Sequence, residues 1–118
     1  MSAADAAGAV RRVTAAEFET LRSSGVPMVV DCFAEWCGPC KTIAPAVERL
    51  AVQHPHVTVV TVDVDAEQAL AASLKVEAMP TFIAFKDGAE VKRLTGAMES
   101  MLKLLFASLP APTGTKES

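Results

Sequence analysis

Two cysteines separated by two residues, Cys37 and Cys40, are the residues of this chain whose type and spacing most directly suggest chemistry. Gly38 and Pro39 lie between them, Trp36 precedes them and Lys41 follows. The group stands where an apolar, β-branched run gives way to helical periodicity. A Cys-x-x-Cys spacing on a first helical turn brings two sulfurs near enough to bond. A thiol at a helix N-terminus meets unpaired amides and the positive end of the dipole, which favour thiolate. Thiolate is the species that attacks a disulfide. Pro39 falls in the first turn, where a missing N–H costs little. Those features together point to thiol–disulfide exchange. A zinc site is the competing chemistry, but it wants about four ligands. The other cysteine and histidine side chains are Cys32, on the preceding strand, and His54 and His56, beyond the far end of the helix. Inert packing thiols fit poorly beside Gly and Pro at a helix start. A further candidate is Asp31, the one charge in the run Met28 to Ala34. Burial there raises a carboxyl pKa.

The elements that must position these groups are legible from pattern. Thr14 and Glu17 have capping-box spacing and open a helix carrying Phe18 and Leu21, which Gly25 stops. Met28 to Ala34 is apolar on both sides of its period, the mark of a central strand covered on both faces. In the next helix, Ile43, Val47, Leu50 and Ala51 share one face, with Pro45 inside the pattern. Val57 to Val62 is a second buried strand. Asp65 is expected to cap a short helix running to about Leu74. Thr81 to Phe85 is a third strand, Asp87-Gly88 a hairpin turn, and Glu90 to Thr95 an edge strand. Met98, Met101, Leu102, Leu105 and Leu109 mark a closing amphipathic helix, with the two methionines read as core fillers. A short strand within Ala9 to Val13 joins the edge. Strands alternating with helices give an α/β fold with a mixed sheet covered on both faces. Other α/β folds fit this pattern too.

The chain has 118 residues, enough for one domain with a real core. Its formal net charge is −3, and no basic run exceeds Arg11-Arg12, which disfavours nucleic acid. No apolar run approaches a membrane-spanning helix. Met1 to Ala9 lacks the basic and apolar parts of a secretory signal and reads as a frayed lead-in. Pro110 to Ser118 reads as a flexible tail. Three cysteines without a signal argue against a secreted disulfide framework.

The segment Val30-Asp31-Cys32-Phe33-Ala34-Glu35-Trp36-Cys37-Gly38-Pro39-Cys40-Lys41 resembles the active-site segment of the thioredoxin family. Pro45, Asp63-Val64-Asp65, Met79-Pro80-Thr81-Phe82, Gly88 and Gly96-Ala97 match further family positions, so the resemblance covers roughly residues 9 to 109. It implies a thioredoxin fold, with a central mixed sheet of four to five strands flanked by helices on both faces. It implies one domain over residues 1–109 and a tail over 110–118. By the same resemblance, Cys37 is the exposed nucleophile and Cys40 the resolving thiol. Asp31 is the acid/base toward Cys40. Trp36, Gly38 and Pro39 face the substrate, the Met79 backbone pairs with it, Pro80 forms a cis-proline loop that keeps metal from the cysteines, and Gly96 and Ala97 leave room for its chain.

The resemblance further implies no bound cofactor, since the Cys37–Cys40 pair carries the electrons. It implies recycling by an NADPH-dependent flavoprotein, thioredoxin reductase, and clients such as peroxiredoxins and ribonucleotide reductase. A monomer in the cytoplasm is expected. Pro39 resembles the reducing members rather than the isomerases. The reading of another class is a non-catalytic binding subunit of the same fold. Three positions depart from the pattern. Phe33 stands where many members have Trp. Thr61 stands where some have a Lys near the buried carboxylate, and Cys32 is an additional strand thiol.

Overall fold

The computed structural model describes residues 9–110. The lead-in read over Met1 to Ala9 and the tail read over Pro110 to Ser118 lie, but for Ala9 and Pro110, outside the described residues. The elements run β1 (Val10–Arg12), α1 (Ala15–Ser24), β2 (Met28–Phe33), α2 (Gly38–Gln53), β3 (Thr58–Asp63), α3 (Gln68–Ser73), β4 (Thr81–Lys86), β5 (Ala89–Thr95) and α4 (Glu99–Ala107).

Local chemistry explains most of these boundaries. The Glu17 amide donates to Thr14 Oγ1 at 3.2 Å, and the Thr14 amide donates to Glu17 Oε1 at 2.9 Å. That reciprocal pair satisfies two amides that the first turn of α1 leaves open. Gly25 closes the helix, its amide reaching the Arg22 carbonyl. Asp87 and Gly88 both have positive φ, 56° and 82°, as a two-residue hairpin turn between β4 and β5 requires.

The sheet order is β1-β3-β2-β4-β5. β2 pairs with β3 in parallel and with β4 antiparallel, so Asp31 stands between Thr61 and Phe82. β5 is an edge strand. Alternation along β2 divides the core. Val29 packs with Val47 and Leu50 of α2 and with Leu102, Leu105 and Phe106 of α4. Met28, Val30 and Cys32 pack on the other face with Phe18 of α1 and Leu70 of α3. This five-stranded, doubly covered sheet is one of the α/β arrangements that the strand and helix rhythm allows.

Two local expectations fail. Asp65 does not cap α3. Glu67 occupies the cap position but makes no capping bond to α3; its Oε1 accepts the Ala15 amide at 3.1 Å. Instead, Asp63 Oδ1 accepts the amides of Asp65 and Ala66 at 2.9 and 3.3 Å, which turns the chain before α3 can start. Met98 and Met101 are not core fillers either. They are 59% and 41% exposed, while Phe106 and Leu109 are buried beside Leu102 and Leu105. Residues 102, 105, 106 and 109 have one-face spacing. Met98 precedes the helix and Met101 lies off that face.

Candidate active site

The site lies where the central strand stops and the longest helix begins. β2 ends at Phe33, and the Cys37 amide donates to the Ala34 carbonyl at 3.1 Å, turning the chain into α2. Cys37 is the N-cap residue, with extended backbone. The Cys40 amide donates to Cys37 Sγ at 3.1 Å. One of the amides that a helix start leaves unpaired is thus aimed at a sulfur. Cys37 and Cys40 form a disulfide, with Cα atoms 5.3 Å apart. That separation lies within the ordinary range for the bond.

The expectation that Cys37 is the exposed member of the pair is not met in this disulfide form. Cys37 is 4% exposed and Cys40 7%. The cap geometry folds Sγ of Cys37 back over its own helix, and each sulfur covers the other. The pair packs on Ala34, edged by Phe33, Val64 and Met79. Gly38, Pro39 and Trp36 stay exposed around it, Trp36 at 68%, so the disulfide lies just beneath an open rim.

Asp31 lies on the α2 side of the sheet and lines one pocket with Cys40, Thr61, Lys41 and Glu35. It is buried, and its Oδ1 has no hydrogen-bond partner among the described residues. Burial pushes its pKa up to about 7. A carboxyl so placed exchanges protons near neutrality. Cys32, one residue on, points to the opposite face and is a free, fully buried thiol. Burial, then the neighbouring Asp31 charge, pushes its pKa up to about 12 against a lowering by Arg93. It is a thiol held inert by its surroundings.

The Met79–Pro80 bond is cis. Met79 borders the cysteine cluster, and the Pro80 carbonyl accepts the Gly96 amide at 2.9 Å. Gly96 has φ of 111°, which favours glycine, while Ala97 is half-buried against the α2–α4 core. The structure therefore gathers Trp36, Gly38, Pro39, Met79 and Pro80 about the disulfide, with Gly96 tied to Pro80. It sets Cys32 on the other side of the sheet and places His54 and His56 past the end of α2. The histidines, read as loop residues without a role, do make contacts. His56 Nε2–H donates to the Leu109 carbonyl at 2.8 Å, and the His54 ring lies 5.4 Å from that of Phe106.

Sequence reasoning missed a group of charges beside the site. Trp36 Nε1–H donates to Asp65 Oδ2 at 2.9 Å. Asp63, whose Oδ1 holds the Asp65 turn, accepts Arg12 Nη2 on Oδ2 at 2.9 Å. Arg12 Nη1 reaches Glu35 Oε2 at 3.2 Å. The spacing of Asp63 and Asp65 before a short helix was a signal for a turn, yet nothing local pointed to Arg12.

A dithiol pair at a strand-to-helix junction, with a buried carboxyl of near-neutral pKa beneath it, defines a thiol–disulfide oxidoreductase. The thioredoxin family model matches residues 9–107. The chain belongs to the thioredoxin family, whose members are protein-disulfide oxidoreductases. It is 43% identical over 98 residues to a thioredoxin of Chlamydia trachomatis, covering 81% of this chain and 95% of that one. A solved thioredoxin of Plasmodium falciparum superposes with a TM-score of 0.82 at 39% identity, over 85% of this chain and 99% of the other. A structure bearing on thiol resolution in yeast mitochondrial 1-Cys peroxiredoxin through glutathione and thioredoxin systems has a TM-score of 0.81 at 32% identity. It covers 88% of this chain and 99% of the other. Among the described residues no helix is long and apolar enough to cross a membrane.

Proposed function

We propose that Cys37 is the attacking thiol, Cys40 the resolving thiol, and Asp31 the group that takes the Cys40 proton. In the reduced protein, Cys37 thiolate displaces one sulfur of a substrate disulfide. A mixed disulfide forms and one substrate thiolate leaves, to be protonated. Asp31 carboxylate accepts the Cys40 proton. Cys40 then attacks Cys37 Sγ, the mixed bond breaks, and the second substrate thiolate departs. The substrate gains two electrons and two protons, and the Cys37–Cys40 disulfide remains. The observation that carries this reading is the Cys40 amide aimed at Cys37 Sγ, with Asp31 lining a common pocket with Cys40.

The two sulfurs hold the electrons, so the proposal calls for no bound cofactor. It assigns Trp36, Gly38, Pro39, the Met79–Pro80 loop, Gly96 and Ala97 to substrate contact. Reduction would come from an NADPH-dependent flavoprotein reductase. Peroxiredoxins are the client class we favour, because a structural neighbour bears on peroxiredoxin resolution; ribonucleotide reductase is a second. The proposal places the chain in the cytoplasm, as an electron-transferring monomer, where thiols are kept reduced.

Insulin reduction driven by dithiothreitol tests the mechanism. Cys37→Ser should abolish the activity, and Cys40→Ser should hold clients as mixed disulfides that survive non-reducing gels. A Cys37→Ser protein as active as wild type would sink the assignment. A purely binding role is disfavoured by the formed redox pair.

A further inference from the structure

We propose that Arg12 is a positioning residue for the active site, holding the strand-to-helix junction and, through Asp63 and Asp65, the exposed Trp36. This rests on the exchange mechanism above. Arg12 ends β1, in register with Thr61 of the parallel β3, and its guanidinium touches three groups at that same end of the sheet. Nη2 donates to Asp63 Oδ2 at 2.9 Å, Nη1 donates to Glu35 Oε2 at 3.2 Å, and the cation lies 5.5 Å from the centroid of the Phe33 ring. Phe33 in turn packs against the Ala34, Cys37 and Cys40 cluster. One planar fork thus grips residues 33 and 35, immediately before Trp36 and Cys37.

The second arm runs through Asp63, which is buried. Arg12 occupies one carboxylate oxygen. The other accepts the amides of Asp65 and Ala66 at 2.9 and 3.3 Å. That turn presents Asp65 Oδ2 to Trp36 Nε1 at 2.9 Å. This indole bond matters because Trp36 is 68% exposed and has little packing to fix it. An aromatic rim beside a reactive disulfide helps a protein substrate only where its orientation is settled beforehand. A buried carboxylate that lost its cation would relax, and the turn would carry that change to the indole. Two carboxylates from separate segments suit a guanidinium, which offers several donors in one plane.

The test is Arg12→Gln, read on the only Trp of the chain. The steady-state anisotropy of Trp36 fluorescence should fall in the oxidised protein. The KM for insulin should rise by about three-fold, while the second-order rate of the reduced protein with Ellman's reagent, which needs no docking, holds. Arg49→Gln breaks the exposed Arg49–Glu99 pair and is the control, with all three readouts expected at wild-type values. Arg12→Gln should also lower the melting temperature by leaving buried Asp63 unpaired, and Arg12→Lys, which keeps the charge without the fork, should restore that temperature but not the anisotropy. Unchanged anisotropy and insulin KM in Arg12→Gln would overturn the proposal. So would full restoration of both by Lys, or equal losses against insulin and Ellman's reagent. A wild-type protein inactive toward insulin would instead refute the exchange mechanism.

Discussion

Asp31 carries a cost that the fold tolerates. Its folded-state pKa of about 7 stands above the ordinary 3.8, so the folded chain binds more protons than the unfolded chain between those values. Stability of the disulfide form should therefore fall as pH rises from about 4 to about 7 and level off above, the reverse of an ion-paired carboxylate. Asp31→Asn removes that loss. Urea denaturation of the oxidised variant at a pH above about 8 should show a gain on the order of 3 kcal/mol, and no gain in acid. The same variant cannot take the Cys40 proton, so insulin reduction should slow by about ten-fold or more. Higher stability with unchanged activity would remove Asp31 from the mechanism. Residues of this kind were legible because a lone charge in an apolar strand, or two thiols at a helix start, is anomalous in its own neighbourhood. Arg12 was not, because its partners lie 23 and 51 positions away and share no local pattern with it. Asp65 misled for a related reason. It looks like a cap for the helix that follows, but Asp63 bonds its amide and that of Ala66, and its own carboxylate turns to Trp36.

At the scale of elements, punctuation proved more legible than faces. The Thr14–Glu17 box and the Asp87-Gly88 turn place their boundaries with local chemistry alone. Gly88 has φ of 82°, and a Cβ there would lie 3.3 Å from the Arg22 carbonyl oxygen. Gly88→Ala should therefore cost about 1–2 kcal/mol in chemical denaturation and leave insulin reduction per folded molecule intact. A cost near zero would mean that the hairpin can refold around the substitution. The face of α4 was harder to read. Met98 and Met101 are as apolar as their neighbours, and only the docking angle of the helix decides that Leu102, Leu105 and Phe106 face the sheet. That angle is a property of α2 and the strands, which present the complementary surface.

The whole molecule separates its work between the two sides of one sheet. The α2–α4 side holds the carboxyl and the redox pair; the α1–α3 side holds the second core cluster, with Cys32 in it. Leu102 is fully buried on the first side, away from the sulfurs. Leu102→Ala should lose about 2–5 kcal/mol while the folded fraction keeps its rate constant. The alternation of strands and helices announced this two-sided plan, though not which side would carry Asp31, since a doubly apolar strand looks alike from both. The plan has a practical consequence for Cys32. Its thiol is screened from solvent and kept protonated far above neutral pH. Iodoacetamide offered to the reduced native protein should label the functional pair and spare this third sulfur until the domain opens as a unit. Its alkylation rate is then an intrinsic clock for global unfolding, with no probe to install.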